Sequence, residues 1–284
     1  MKTLETKDLP IPKLHQYLLG SIGPRPICFA STIDKRGNRN LSPFSFFNVF
    51  SANPPILIFS PARSGRTAQT KNTYDNCVDV PEVVINVVTY SMVQQMSLSS
   101  SPYPKDVDEF KKAGFTPLKS DTVKPYRVKE SPIQFECVVK QITPLGDGGG
   151  AGNLIMVEVV KMHFDESILD ENGMVDQNKI DLVARMGGNF YTRAHGDSLF
   201  EIPKPISSIG MGIDALPRHI RNSSALSGND LGRLGLLEEF PDTTECMDAE
   251  TLAPDEAIQK ARQLLDVNET KKAYCLLAKN LMNE

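Results

Sequence analysis

The segment over residues 60–73 carries the densest group of side chains that could bind an anion. It contains Arg63, Arg66 and Lys71, five hydroxyl residues and one glycine, and it has no acidic residue. A phosphate monoester carries about −1.5 to −2 charges near neutral pH, and proteins bind it with clustered cations, hydroxyls and backbone N–H groups at a helix start. Residues 70–76 could supply that helix start. A solvated polar loop would have the same composition, so the residues leave both interpretations open.

A second segment, residues 40–48, combines three phenylalanines with small hydroxyl residues. A strand of this kind offers an apolar wall and backbone donors together, which suits a flat heteroaromatic ring with one polar end. A plain core strand explains the phenylalanines equally well. Pro43 inside the run favours an edge or bulge, where backbone N–H groups are free to meet a ligand.

A third segment, residues 185–191, contains paired glycines followed by a tyrosine. Gly187 and Gly188 would allow close backbone approach, and Tyr191 could cover a ring. A simple turn is an equally good interpretation.

The sequence gives little evidence for a dinucleotide-binding site, a metal site or acid–base catalysis by side chains. Residues 146–151 fit the G-x-G-x-x-[GA] pattern, but a β-type run follows where a dinucleotide site needs a helix, so we expect a hairpin loop. The four histidines have neither metal-ligand spacing nor a nucleophile nearby. We predict no metal site and no catalytic acid–base pair, which is consistent with chemistry carried by a bound cofactor.

The elements that must position these segments are mainly β-strands. Apolar and β-branched runs predict six strands, over residues 27–33, 41–51, 56–59, 83–88, 133–139 and 154–160. Between them, an Asp-x-x-Glu cap from Asp106 to Glu109 predicts a short helix ending at Gly114, and residues 90–98 predict another. Many strands without regular strand–helix alternation favour a closed antiparallel barrel.

The character of the chain changes near residue 196. Residues 1–195 form the predicted barrel domain. Residues 196–250 are rich in Pro, Gly, Ser and Asp and are expected to form an extended arm rather than a second core. Residues 251–284 recover helical periodicity and predict a helical hairpin.

Composition restricts the class of protein. The net charge of −4 over 284 residues argues against a nucleic-acid binder. Five scattered cysteines favour reduced thiols over a disulfide framework. We find no signal pattern and no apolar run near the roughly 18 residues of a membrane span, so we expect a cytoplasmic protein without a membrane segment.

Taken in order, several segments resemble the flavin reductase-like, FMN-binding split-barrel family. The match spans roughly residues 18–195, and its specificity comes from the order and spacing of the pieces. The resembling pieces are residues 24–27 with 31–32, 40–48, 53–55, 63–73, 108–110 with 113–114, 130–132, and 185–188 with Tyr191.

The resemblance implies a mainly β fold with short helices, a six-stranded Greek-key split β-barrel that forms a homodimer with FMN near the interface. The phosphate would be held by Arg63, Arg66, Thr70, Lys71 and Thr73. The edge of the isoalloxazine ring would be lined by Ser45, Phe46, Phe47 and Asn48, largely through backbone groups. Arg25 and Thr32 would lie near the ribityl chain or phosphate, and Ser60 and Ala62 complete this part of the cofactor-binding set. The site would be closed, from the same subunit or the second one, by residues 99–103 together with Gly187, Gly188 and Tyr191.

In the activity that the resemblance implies, NAD(P)H passes hydride to the flavin, and the reduced flavin serves a partner oxygenase, another redox protein or dioxygen. Backbone N–H donors would stabilise the negative charge of the reduced ring. Two alternatives remain. One is an FMN-bound electron carrier without NAD(P)H turnover, and the other is a split barrel that binds a different ligand or only a protein.

Overall fold

The β-rich part of the chain forms one seven-stranded antiparallel sheet, and two short two-stranded sheets accompany it. The structure is a computed structural model that describes residues 1–202, 204–206, 208–242 and 244–281. The strands of the large sheet are β1 Cys28–Ile33, β2 Arg39–Phe44, β3 Phe47–Ala52, β4 Pro55–Phe59, β5 Glu82–Val87, β8 Ile133–Pro144 and β9 Asn153–Phe164. The remaining pairs are β6 Pro117–Leu118 with β7 Arg127–Val128, and β10 Leu182–Arg185 with β11 Tyr191–Ala194.

The order of the large sheet, β2-β1-β5-β8-β9-β4-β3, places two consecutive strands at its opposite ends. The chain passes from β2 to β3 through Ser45 and Phe46 alone. The predicted single strand over residues 41–51 is therefore interrupted, and the sheet has seven strand segments where six were predicted. The predicted hairpin between the first two runs is present, with Ser31 opposite Leu41.

The helices are short in the first part of the chain and cluster again at its end. They are α1 Ile11–Ser21, α2 Asn72–Asp79, α3 Val93–Ser99, α4 Glu109–Ala113, α5 Arg218–Arg221, α6 Gly228–Leu234, α7 Pro254–Asp266 and α8 Thr270–Asn280. Single 3₁₀ turns lie at Thr6–Asp8, Tyr90–Met92, Glu166–Ile168, Gly196–Ser198 and Ile213–Ala215. None of the described helices combines the length and apolarity that crossing a membrane requires.

Helix α4 has the predicted end but a different start. Gly114 follows it in the left-handed conformation, at φ 71°, where a glycine carries no steric penalty. The N-cap is Asp108 and not Asp106, because the Asp108 carboxylate accepts the Phe110 N–H.

The chain divides into two compact units, Met1–Phe200 and Glu201–Glu284. The second unit has its own core, to which Leu216, Ile220 and Leu234 contribute beside residues of α7 and α8. Residues 196–250 therefore differ from the predicted extended arm. Their apolar residues are too widely spaced to show helical periodicity, yet α5 and α6 bury them against the C-terminal helices.

Cys246 and Cys275 form a disulfide, which corrects the expectation that all five cysteines are reduced. The two residues are 29 positions apart, so only the packing of the second unit reveals that they meet. Cys28, Cys77 and Cys137 are free and buried.

Glu109 is a buried carboxylate whose ionisation should oppose folding. Its Oε2 accepts the Leu41 N–H of the edge strand β2 at 3.1 Å. Burial raises its pKa from 4.5 to about 6, although hydrogen bonds from its own N–H and that of Leu41 act in the opposite direction. Between these two values the folded state binds more protons than the unfolded state, so the free energy of unfolding falls as pH rises through this window.

Glu109→Gln should remove this dependence. As pH rises from 4 to 7, we expect the unfolding free energy of wild type to fall by about 2 kcal/mol relative to that of the variant. Urea denaturation at each pH measures this difference. Asp106→Asn, at an exposed position in the same segment, is the matched control. A wild-type-minus-variant difference that stays constant across this range would contradict the assignment.

Candidate functional site

A pocket of about 280 Å³ opens where β2 ends and α2 begins. It brings together five of the predicted site residues, namely Ser45, Phe46, Ser60, Ala62 and Lys71. Helix α1 adds His15 and Leu19, and β2 adds Phe44. Among the described residues that line the pocket, none is acidic. The pocket therefore offers a cation, several hydroxyls and aromatic surface without a competing negative charge.

Lys71 holds a particular position in this pocket because it is the N-cap residue of α2. The Tyr74 and Asp75 N–H groups both donate to its backbone carbonyl, which fixes the first turn of the helix. The partial positive charge of a helix N-terminus adds to the charge of the ammonium group. Within the described part of the chain, no carboxylate forms an ion pair with the Lys71 ammonium.

Ser60 is held at the pocket by the loop that joins β8 and β9. Its Oγ accepts the Asn153 N–H at 3.0 Å, and Asn153 Nδ2 donates to the Pro61 carbonyl at 2.8 Å. A Cβ at Gly152 would lie 2.8 Å from the Ser60 Oγ, so a side chain there would displace the hydroxyl. The close approach of this glycine is what lets Ser60 face the pocket.

The same loop supports the anion-binding candidate over residues 60–73. The Arg63 N–H donates to Ala151 at 2.8 Å, and the Gly150 N–H donates back to Arg63 at 3.1 Å. A Cβ at Gly149 would lie 2.9 Å from the Gly65 carbonyl oxygen. The glycine-rich run 146–151 is thus a hairpin loop, as predicted, and its glycines permit packing against residues 63–65.

Arg63 and its neighbours differ in what they offer a ligand. Arg63 Nη1 donates to the Ala68 carbonyl at 3.0 Å, and its buried Nε has no described partner. Arg66 is exposed and outside the described pocket lining. Thr70 donates its hydroxyl to the Asp75 carboxylate at 2.7 Å.

Thr32 and Thr73 are buried in a polar network behind α2. Asn40 Nδ2 donates to Thr73 Oγ1 at 2.9 Å, and Asn76 Nδ2 donates to Thr32 Oγ1 at 3.1 Å. Both hydroxyls are thereby used to anchor α2 onto β1 and β2. The structure gives them a role in positioning Lys71, one that sequence spacing did not indicate.

A second pocket of about 210 Å³ adjoins the first, and the two share Pro43, Phe44, Ser45 and Ser100. Tyr191, a predicted site residue, lines this second pocket together with Arg185. The Arg185 guanidinium lies 4.6 Å from the centre of the Tyr191 ring and donates to the Gly188 carbonyl at 2.7 Å. Arg185 was not among the predicted site residues, although it begins the segment 185–191.

Arg25 binds backbone rather than lining either pocket in the described chain. Its guanidinium donates to the Leu19 carbonyl at 2.8 Å, to the Ile22 carbonyl, and to the Met186 carbonyl at 2.9 Å. It therefore joins the end of α1 to the turn before Gly187. A Cβ at Gly187 would lie 2.9 Å from the Gly20 Cα, so this contact requires glycine.

The other predicted residues lie beside the site in different ways. Phe47 is half-buried and packs against the barrel core. Asn48 is exposed, and its Oδ1 accepts the Val49 N–H at 2.8 Å. Gly188 has a φ of 58°, which the turn between β10 and β11 requires.

Away from the pockets, Asp121, Glu136 and His163 bring three potential metal-ligand atoms together. Members of this cluster already have partners of their own: Lys161 Nζ lies 2.6 Å from Asp121 Oδ2, and His163 Nε2 lies 2.7 Å from Glu136 Oε1. Burial alone would raise the pKa of Glu136, but N–H donors of Asp121 and Thr122 lower it to about 2. The arrangement is that of an ion-pair network that holds the 120–125 loop.

Comparison with known proteins gives a consistent result. The model of the flavin reductase like domain matches residues 20–181. An uncharacterized protein from Aquifex aeolicus is 37% identical over 190 residues, which cover 66% of this chain and 94% of the relative.

Two solved structures share the fold over a similar region. Nitrilotriacetate monooxygenase component B from Bacillus cereus has a TM-score of 0.66 at 28% identity, covering 71% of this chain and 98% of that one. A Shewanella frigidimarina protein described as a flavin reductase with split barrel domain has a TM-score of 0.60 at 27% identity, covering 70% and 95%.

The chain therefore belongs to the flavin reductase-like family, and its first unit has the split-barrel fold. The family model ends at residue 181, before the second unit begins.

Arg25→Ala should destabilise the first unit without any ligand present, because three backbone carbonyls would lose a charged donor. We expect a loss of about 3 kcal/mol in unfolding free energy, measured by urea denaturation of the cofactor-free protein. Arg36→Ala, at an exposed position, is the control. If Arg25→Ala left the stability of the cofactor-free protein unchanged and only weakened ligand binding, Arg25 would instead be a ligand contact.

Proposed function

We propose that the first unit binds FMN and transfers hydride from NAD(P)H to it. The observation that carries this proposal is the acid-free pocket whose lining brings together Lys71, four serines, and the aromatic residues Phe44 and Phe46. Family membership supports a flavin ligand, and the pocket chemistry supports a flavin that carries a phosphate.

The residues present fit FMN at both ends. A dianionic phosphate needs cations and hydrogen-bond donors, which Lys71, Ser60 and the first turn of α2 supply. A flat ring with a polar edge needs apolar surface and backbone donors. Phe44 and Phe46 supply the surface, and Ser45 lies in the gap between β2 and β3, where the regular strand pairing is interrupted.

The second pocket supports a site for the reductant. It shares the Pro43–Ser45 wall with the first pocket, so a second molecule bound there would lie against the same strand end. Arg185 offers a charged donor to an anionic group, and Tyr191 offers a ring face. In this proposal both residues orient NAD(P)H.

Bound FMN would supply the hydride-accepting chemistry, and the protein would supply binding and orientation. Lys71 and Ser60 hold the phosphate end. Phe44 and Phe46 exclude water from the ring, and Arg25 keeps α1 and the 186–188 turn in place around it. We assign no side chain to proton transfer.

A flavin-bound electron carrier is the competing function. Steady-state oxidation of NADH and NADPH by the FMN-loaded protein separates the two. Turnover with either nucleotide supports the reductase, whereas negligible turnover with both, in protein that retains its flavin absorption, would favour the carrier.

Lys71→Ala should weaken FMN binding about 10- to 100-fold, since charge-assisted hydrogen bonds contribute about 1.5–3 kcal/mol each. Flavin absorbance and fluorescence titration measure the dissociation constant. Adding Arg66→Ala should weaken binding further if the exposed Arg66 turns toward the phosphate.

Lys35→Ala is the matched control, because Lys35 pairs with Asp79 at the opposite end of α2, at 2.9 Å. It removes the same charge near the same helix and should leave FMN affinity within about threefold of wild type. Equal affinities of wild type and the Lys71→Ala, Arg66→Ala double variant would rule out the phosphate assignment.

We further propose that the first unit forms a homodimer and delivers electrons to a partner oxygenase. Helix α1 buries no residue, and Val49 and Phe50 on the edge strand β3 are each 63% exposed. Exposed apolar groups of this size are typical of protein interfaces. The partner oxygenase is suggested by the similarity to a monooxygenase component B.

Phe50→Glu should convert the dimer to a monomer, because an ionised carboxylate would be placed in an apolar interface. Light scattering after size-exclusion chromatography measures the mass. Met174→Glu, at an apolar position that is 67% exposed elsewhere on this unit, is the control and should remain dimeric. Wild type that elutes as a monomer at all concentrations would refute the dimer.

A further inference from the structure

A third cavity of the first unit, of about 210 Å³, adjoins the second pocket. The two share Ser97 and Tyr191, whereas the first and third pockets have no described lining residue in common. The second pocket therefore connects the other two. Tyr90, Val93 and Val183 give the third pocket aromatic and apolar surface. A dinucleotide needs more space than the second pocket of about 210 Å³ offers, so its adenosine end would extend into the third.

Arg193 is the one cation among the described residues that line the third pocket. Its Nε and Nη2 donate to the two Asp181 carboxylate oxygens at 2.6 and 2.9 Å. The guanidinium also lies 3.9 Å from the centre of the Tyr90 ring. His195 Nδ1 lies 4.0 Å from the same carboxylate. Neither Asp181 nor His195 belongs to the described lining, so a ligand in the pocket would meet Arg193 with its charge already paired.

Hydrogen bonds of the backbone hold both members of this ion pair in place. The Asp181 carbonyl accepts the Tyr90 N–H at 3.0 Å, and its φ is 54°, in the left-handed region where Asp and Asn are enriched. Arg193 lies on β11, opposite Val183 of β10. The Arg193 hydrogen bonds are the main cause of a lowered pKa of the Asp181 carboxyl, so the carboxylate stays ionised at neutral pH. Arg193 is therefore held in a neutral pair rather than free to turn toward an anion.

NADPH differs from NADH by one phosphate, on the 2′-hydroxyl of the adenosine ribose. That phosphate adds about −1.5 to −2 charges near neutral pH, and an arginine commonly binds it in proteins. We propose that the third pocket takes the adenosine end of the reductant and that the Asp181–Arg193 ion pair makes the first unit select NADH over NADPH. Because the reductant is the one in the proposed function, this selectivity depends on that function. Asp181 is a positioning residue, since it acts through Arg193.

Arg185 is placed to bind the part that the two nucleotides share. It lines the second pocket, and among the described residues no carboxylate pairs with it as Asp181 pairs with Arg193. The pyrophosphate joins the nicotinamide and adenosine ends of both nucleotides, so Arg185 would bind NADH and NADPH alike. Discrimination is thereby left to Arg193. This residue lies beyond residue 181, where the family model ends, so family membership does not decide it.

Steady-state kinetics of the FMN-loaded, full-length protein with each nucleotide test the proposal. Wild type should show a kcat/KM about tenfold higher with NADH, because the 2′-phosphate would lose water near Asp181 without gaining an unpaired cation. Wild type that uses NADPH equally well or better would overturn the proposed selectivity. Negligible turnover with both nucleotides, in protein that retains its flavin absorption, would instead refute the reductase itself, and the selectivity with it.

Asp181→Asn should shift the preference toward NADPH. It removes the carboxylate charge, and asparagine tolerates the positive φ, so the fold should persist, which circular dichroism and flavin content check. We expect the KM for NADPH to fall about three- to fivefold, an effect of the size that exposed ion pairs have. The change should appear in KM and not in kcat, since Arg193 lies at the adenosine end, and NADH should show no comparable fall. An unchanged KM for NADPH would overturn the role of Asp181.

Two further variants test the physical cause. Adding Arg193→Gln to Asp181→Asn should restore the wild-type KM for NADPH or raise it. A gain that survives in this double variant would show that another residue binds the 2′-phosphate and would overturn the role of Arg193. Asp176→Asn is the matched control, because Asp176 pairs with Lys179 at 3.8 Å and is absent from the described lining of the three pockets. It makes the same change of net charge and should leave the KM for NADPH within about twofold of wild type.

Discussion

An ammonium group that lines a pocket without an acidic partner is the constraint on which the proposed function depends. Lys71 is in this position at the start of α2, and the described lining of its pocket contains no carboxylate. Lys71 is exposed at the pocket, where an anion would form charge-assisted hydrogen bonds with its ammonium group. The position of the lysine in turn depends on α2, which Thr73 and Asn76 anchor to the barrel through buried side-chain hydrogen bonds.

The pocket lies where the strand pairing at the edge of the sheet is interrupted between β2 and β3. Ser45 and Phe46 belong to neither strand. They connect β2 to β3, which are the first and last strands in the order of the sheet. The loop between β8 and β9 reaches the same place, where Gly152 makes room for Ser60. Arg25 also positions α1, which contributes Leu19 to the pocket lining, because its guanidinium donates to both the Leu19 and the Met186 carbonyls.

The sequence predicted the strand runs and marked residues 60–73 as an anion-binding candidate, because both inferences depend on local composition. Ile27, Phe29 and Val83 to Ile85 are buried strand residues that hydrophobic runs identify directly. Contacts between residues that are distant in the sequence could not be predicted in this way. Nothing in the spacing of Thr32 and Thr73 showed that Asn40 and Asn76 would occupy their hydroxyls, or that Cys246 would meet Cys275. Arg185 begins the candidate segment 185–191 but was not chosen as a site residue, since only folding brings β10 beside Ser45.

The most direct test compares FMN with riboflavin, which has the same ring and ribityl chain but no phosphate. Titration calorimetry with wild type and Lys71→Ala would give four dissociation constants. We predict that wild type binds FMN much more tightly than riboflavin and that Lys71→Ala removes most of this preference while leaving riboflavin affinity nearly unchanged. Equal affinity of wild type for the two flavins, or a preference for FMN that survives in the variant, would contradict the central claim.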